Sequence, residues 1–323
     1  MKVVITGGSG FLGRTLAAAL LARGVLAGPS GAPEEIDEVV LFDVGRRSNG
    51  LGRRLRGVVG DVTDRQQVEA MIDRSDCSVF HLASIVSGSA EQDFDLAMQV
   101  NLQGGLNVLE ACRARDVSGR LVFASSLAAY GGAELPAVVT DLTKLTPRST
   151  YGMTKAVLEL LVNDYARKGF VDGRGARLPT VIIRPGKPNL AASSWCSSIL
   201  REPLAGKPYA LSVPLETRTL VAGVRTAVDG LIVLHDAPAS SLGDDRTLNF
   251  PGLSVTAQDL VDALVPFGAD RPLGEISVQR DPVVEAIVSG WPQRMSADRA
   301  RALGVPSDES LEAIVRVYLA RGC

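Results

Sequence analysis

Up to about residue 190, apolar positions fall into two alternating patterns. Four short runs, VVIT at 3–6, EVVLFD at 38–43, VSGRLVFAS at 117–125 and TVIIR at 180–184, are rich in β-branched residues and hold apolar residues on successive positions. A strand with water on one face alternates apolar and polar residues, so runs of this kind mark strands covered on both faces. The stretches between them, at 15–24, 65–73, 91–115 and 150–169, repeat their apolar residues at helical spacing. Strand and helix in alternation predict βαβ units and an α/β fold of Rossmann type, a doubly wound parallel sheet flanked by helices. The segment AGPSGAPEE at 27–35 has no period and predicts a surface insertion between the first helix and the second strand.

Beyond 190 the pattern breaks into short pieces separated by prolines, among them SWCSSILREPL, AVDGLIVLHDA, SVTAQDLVDAL and a closing SLEAIVRVYLARG. The expected organisation is a dinucleotide-binding domain carrying the catalytic residues over 1–190. A smaller C-terminal α/β substrate-binding lobe over 191–323 interleaves with it in space. No internal repeat or low-complexity segment interrupts either part.

Composition narrows the partners. With 323 residues, 46% of them hydrophobic, the chain can bury a substantial core without disulfides or metals. Its 34 basic and 36 acidic residues form no long run of either sign, which argues against a nucleic-acid or membrane surface and for a small-molecule partner. Cys77, Cys112, Cys196 and Cys323 are far apart and there are two histidines, so no metal-ligand spacing exists and reduced thiols are expected. The opening MKVVITGGSG breaks at glycines too soon for a signal-peptide core or a membrane span, which leads to the expectation of a cytoplasmic protein.

Chemistry enters at the first turn. Thr6-Gly7-Gly8-Ser9-Gly10-Phe11-Leu12-Gly13 follows the first strand and opens the first helix. Glycines there let the backbone approach a pyrophosphate, whose charge is met by free N–H groups and the positive end of the helix dipole. Asp43 ends the second strand, where a carboxylate binds the adenosine ribose hydroxyls and repels a 2′-phosphate, favouring NAD over NADP. Arg46 and Arg47 nearby are the features that could accommodate a phosphate instead. Tyr151 and Lys155 are four apart in a helical stretch and so project from one face. A free phenol titrates near 10, too high for a base at neutral pH, but a neighbouring ammonium and a nicotinamide cation both favour the phenolate. Ser126 closes a strand run, at the sheet edge where α/β folds place ligands, and can hydrogen-bond a substrate oxygen.

Taken in order, TGGSGFLG, DV at 61, HLAS at 81–84, Asn101, SSLAAYG and YGMTK resemble the extended short-chain dehydrogenase/reductase family, with its NAD-dependent epimerases, dehydratases and dehydrogenases. The resemblance spans residues 1 to about 190. It implies that Gly7, Gly10, Phe11, Leu12 and Gly13 line the pyrophosphate and Asp43 the ribose. Asp61 and Val62 would lie beside the adenine, although an acid at a helix N-terminus is an equal reading of Asp61. Leu82 and Ala83 would lie on the nicotinamide side, and Lys155 would also hold the nicotinamide ribose. Asn101 matches a position that supports the active-site helix and a proton-relay water, joining Ser126, Tyr151 and Lys155 as catalytic. A homodimer through the helices at 91–115 and 150–168 is expected by the same resemblance.

Departures from the family patterns narrow the reaction. Sugar-nucleotide dehydratases carry an Asp-Glu pair just after the serine, where this chain has Leu127 and Ala128. Nucleotide-sugar epimerases continue an R-P strand into N-V-Y-G-P, where Arg184-Pro185 leads into GKPN. The following SSWCSSILREPLAGK is similar to members that oxidise a four-carbon sugar acid at C2. That likeness implies a small anionic substrate, with Ser126 and Tyr151 at the reacting hydroxyl. Arg218 matches a position where many relatives meet an anionic group, and Lys187, Ser193 and Ser194 are further candidates. An epimerase with retained NAD is the alternative reading.

Overall fold

The computed structural model describes residues 1–45, 54–117, 119–186, 191–269 and 271–320. The strands of its two larger sheets are β1 (Lys2–Thr6), β2 (Glu38–Asp43), β3 (Leu55–Val59), β4 (Cys77–His81), β5 (Arg120–Ser126), β6 (Asp172–Leu178), β7 (Thr180–Ile182), β8 (Arg218–Gly223), β9 (Thr247–Asn249) and β10 (Leu253–Thr256). Seven of them form one parallel sheet in the order β9-β6-β5-β4-β1-β2-β3. The chain winds outward from β1 in both directions, so a crevice opens between β1 and β4 at the carboxyl ends of the strands.

Both faces of this sheet are buried, which accounts for the unbroken apolar runs. Val3 and Ile5 of β1 pack with Leu16, Ala17 and Leu20 of α1 (Phe11–Arg23) and Leu231 of a later helix on one side. Val4 faces the other way, with Val68 of α2 (Arg65–Met71), Val108 of α3 (Gly104–Ala114) and Leu158 of α4 (Thr150–Arg167). The insertion at 27–35 forms part of a short hairpin, Val25–Ala27 paired with Pro33–Glu35, most of whose tip is exposed.

After 190 the chain adds α5 (Ser194–Leu204) and α6 (Val224–Asp236), the latter carrying Leu231. A second sheet, β10-β8-β7, runs β8 antiparallel to β10 and parallel to β7 over a separate apolar core. The two sheets share the chain: it leaves the first at Pro179 and again at Pro251-Gly252, and a Cβ on Gly252 would lie 2.8 Å from the Pro179 ring. Thus α6 and the edge strand β9, both beyond residue 190, complete the first sheet.

One expectation is overturned here. The run TVIIR does not supply the sixth strand of the parallel sheet, because Thr180–Ile182 is β7 of the second. The sixth strand is the preceding DGRGARL, which reads as polar. Its arginines are buried because each meets a full set of partners. Arg174 Nη1 donates to the carbonyls of Leu234, His235 and Ala237 at 2.7, 2.7 and 2.6 Å, capping the C-terminus of α6, while Nη2 pairs with Asp172 at 2.8 Å. Arg177 holds both ends of a network under the site. It donates to the Glu159 carboxylate through Nε at 3.0 Å and Nη2 at 2.8 Å, and through Nη1 to Tyr130 Oη at 2.9 Å. Glu159 also accepts from Ser125 Oγ.

Removing one partner of such a pair strands the other charge. Arg177→Met is expected to lower stability by about 3–5 kcal/mol, read as a drop in thermal midpoint. Arg177→Met/Glu159→Leu should recover part of the loss, because the directly bonded Glu159 carboxylate is removed with its cation while Asp141 and Asp245, each 3.9 Å from Arg177, remain.

Candidate active site

At the mouth of the crevice, the glycine loop is shaped by close approach. Gly7 takes φ +66°, and a Cβ there would lie 2.8 Å from Ala83 N; on Gly13 it would lie 2.7 Å from Gly7 O. Gly10 caps α1 without a side chain over the helix end. The first-turn N–H groups therefore point outward, an arrangement that fits a dinucleotide pyrophosphate. Asp43, at the end of β2, accepts from Ser9 N at 3.0 Å and Gly45 N at 2.9 Å, which ties its carboxylate to the same loop. Asp61 accepts from Thr63 N at 2.9 Å, and Asn107 Nδ2 donates to Val62 O at 2.9 Å, so this turn is fixed from α3. Arg46 and Arg47 lie outside the described residues.

Across the crevice, Leu82 N and Ala83 N both donate to Thr6 Oγ1 at 3.2 Å. Having accepted twice, the Thr6 hydroxyl gives its proton to His81 Nδ1, 2.7 Å away. Burial, helped by the Lys155 charge, pulls His81 down to about 3, so the imidazole stays neutral and braces the floor of the cofactor groove.

Ser126, Tyr151 and Lys155 are brought together by a tight helix entry. Ser149 caps α4 by accepting from Gly152 N at 3.1 Å. A Cβ on Gly152 would lie 2.0 Å from Ala128 O, so only glycine lets the first turn of α4 press onto the Leu127–Ala129 turn. That contact brings Tyr151 and Ser126 together at the lining of one cavity. One turn further on, Lys155 Nζ donates to Ala124 O at 2.9 Å and sits 4.8 Å from the Phe123 ring centroid and 5.4 Å from that of Tyr151. Burial brings Lys155 down to about 7, against the negative charge of Glu159. Burial raises Tyr151, while the Ser126 hydrogen bond and the Arg184 charge lower it. Burial is the larger effect, so the phenol is held above its ordinary value, with Ser126 and Arg184 pulling the other way.

Asn101 is placed behind the trio. It lies in a π-helical stretch, Met98–Gln103, and its Oδ1 accepts from Ile85 N at 2.7 Å and Ser84 Oγ at 3.1 Å. Its Nδ2 donates to Ile85 O at 3.2 Å and Thr154 Oγ1 at 3.3 Å. These bonds join the groove loop to α4.

A cavity of about 390 Å³ opens over these groups. From the sheet and α4 it is lined by Gly7, Gly10, Phe11, Leu12, Gly13, Leu82, Ser126, Leu127, Ala128, Tyr151 and Lys155. The second sheet and α5 contribute Thr180, Arg184, Ser193, Ser194, Arg201 and, from a later turn, Trp291. The structure therefore brings Ser193 and Ser194 to the cavity but not Arg218, whose Nη1 turns to Ser254 O at 3.2 Å on β10. Lys187 lies outside the described residues. Arg184, which the sequence showed only as a loop landmark, is the cation that arrives. Among the described lining residues, the ionisable side chains are Tyr151, Lys155, Arg184 and Arg201, with no carboxylate and no imidazole. Among the described residues, no group of three or more His, Cys, Asp or Glu is placed to hold a metal, and no helix is long and apolar enough to cross a membrane.

Comparison with known proteins agrees with this geometry. The family model for the NAD dependent epimerase/dehydratase family matches residues 3–239. A D-erythronate dehydrogenase of Cupriavidus necator is 46% identical over 319 residues, covering 99% of this chain and 98% of its own. One of Haemophilus influenzae is 41% identical over 320 residues, 99% of each chain. The crystal structure of a nucleoside-diphosphate-sugar epimerase from Agrobacterium tumefaciens superposes with a TM-score of 0.88 at 36% identity, over 100% of this chain and 94% of that one.

Two outcomes are expected of the groove. Gly13→Ala should weaken NAD binding by about tenfold or more, the scale of one lost hydrogen bond to a charged group, read by fluorescence titration with circular dichroism to confirm the fold. His81 titrates near 3 in the folded chain against 6.5 as its ordinary value. The unfolded chain then binds the extra proton, so His81's share of stability is intact above about pH 6.5 and is lost as pH falls toward 3. Urea unfolding at pH 7 and pH 5 should show this loss, and His81→Asn should flatten it.

Proposed function

The chain belongs to the NAD dependent epimerase/dehydratase family, and we propose that it oxidises the C2 hydroxyl of a four-carbon sugar acid, D-erythronate, to the 2-oxo acid. It is an NAD-dependent dehydrogenase acting on a CH–OH group. The observation that carries the substrate reading is the sign of the cavity, whose described lining holds Lys155, Arg184 and Arg201 against no acid. A small carboxylate is attracted there, and the names of the two dehydrogenase relatives supply its class.

Bound NAD supplies the acceptor for the hydrogen that leaves C2 with its electron pair. The residues do the rest. Ser126 Oγ holds the reacting hydroxyl oxygen beside Tyr151. The Tyr151 phenolate takes the hydroxyl proton as the carbonyl forms. Lys155, fixed on Ala124 O, stabilises the phenolate before transfer and keeps it oriented. Gly7 and Gly13 leave room for the cofactor backbone, and Asp43 meets its ribose. Leu127 and Ala128 place apolar groups where an elimination would need an acid and a base, so the carbinol is oxidised and not dehydrated.

The A. tumefaciens structure's title favours a second reading, epimerisation of a nucleotide sugar. The two readings part on electron balance. Mixing the enzyme with NAD and D-erythronate should release NADH in proportion to 2-oxo acid, and Tyr151→Phe should slow it by about 10²- to 10⁴-fold. Tightly retained NAD with no net NADH from a panel of sugar acids would establish the epimerase instead.

A further inference from the structure

We infer that Arg184 is the residue that holds the substrate's carboxylate, an assignment that rests on the sugar-acid reading above. In a 2-hydroxy acid the carboxylate is bonded directly to the reacting carbon. Its cation must therefore stand close to the tyrosine that takes the hydroxyl proton, and three arginines can be compared on that ground. Arg218 is turned away to Ser254. Arg201 reaches the cavity, but its guanidinium is committed to protein: Nε donates to Glu202 at 2.9 Å, Nη2 to Ser198 Oγ at 3.0 Å and Nη1 to Arg184 O at 2.7 Å.

Arg184 differs on each count. It lines the cavity, and its charge and the Tyr151 phenol act on each other. Among the described residues it forms no ion pair with any carboxylate. Its backbone is fixed from α5, with its N–H donated to Ser197 Oγ at 3.2 Å and its carbonyl accepting from Arg201. Burial works against its charge. A guanidinium withdrawn from water without an acid beside it is costly, and an anion entering the cavity relieves that cost. The planar fork suits a carboxylate, which accepts two parallel N–H bonds, better than a lone hydroxyl. Arg201 then serves as a positioning residue, holding the Arg184 carbonyl while Glu202 balances its own charge.

The test compares D-erythronate with its neutral primary amide, which keeps the C2 hydroxyl and loses the charge. The ratio of their kcat/KM values is measured for the native enzyme, Arg184→Met and Arg184→Lys. Arg184→Met should collapse the preference for the acid by about 10²- to 10³-fold, as expected when one partner of a buried charge pair is truncated, and Arg184→Lys should recover part of it. A merely structural role would depress both substrates and leave the ratio unchanged, which overturns the assignment. Calorimetric binding of D-erythronate to the enzyme–NADH complex separates this inference from the reading it rests on. Binding that Arg184→Met abolishes, without turnover by the native enzyme, sinks the oxidation reading and keeps the carboxylate site. Equal binding by native enzyme and Arg184→Met sinks the site. Neither binding nor turnover by the native enzyme sinks both.

Discussion

Burying the carboxylate of Glu159 costs several kcal/mol unless its charge is matched, and the way it is matched joins the elements that make the site. Glu159 stands one turn beyond Lys155 on α4. It accepts from Ser125, the residue before Ser126 on β5, and from Arg177 on β6. Arg177 extends the chain of bonds to Tyr130, just past the turn on which α4 begins. One buried ion pair thus registers the helix of Tyr151 against the strand of Ser126 and the strand that leads into the second sheet. With that register fixed, Gly152 can press onto Ala128 and the phenol of Tyr151 meets Ser126.

Charge is distributed on the same plan. Acids that neutralise buried arginines are kept behind the sheet, as Asp172 with Arg174 and Glu159 with Arg177, or beside a cation that serves as scaffold, as Glu202 with Arg201. The described cavity lining is left with cations and a phenol. Such a surface suits a dinucleotide and an acid together, and its Arg184 charge partly offsets the burial that raises the phenol. The neutrality of His81 belongs to this arrangement: a charged imidazole would stand against the Lys155 ammonium.

How much of this is legible in the sequence follows from how local each interaction is. The glycine loop is legible because turn, helix N-terminus and preceding strand are consecutive, and each residue's task is set by backbone geometry alone. Tyr151 and Lys155 are legible because four residues of helix bring their side chains to one face. Asp43 is legible from its place at a strand end. By contrast, DGRGARL conceals a central strand, since Arg174 is buried only because the carbonyls of α6, some sixty residues away, lie across it. Asn101 could be named, but its bonds to Ile85 and Thr154 depend on the π-helical turn that aims it.

The sequence by itself therefore determined the class of fold, the glycine loop of the cofactor cradle and the grouping of Tyr151 with Lys155, because these rest on periodicity and on neighbours within a turn or two. Tertiary structure alone decided which cation reaches the cavity. Arg184 and Arg218 sit on or beside neighbouring strands of the second sheet, and only the packing of that sheet and of α5 against the first turns one guanidinium into the cavity and the other onto Ser254. A side chain's direction across an interface is a property of both surfaces, and no stretch of chain carries it alone.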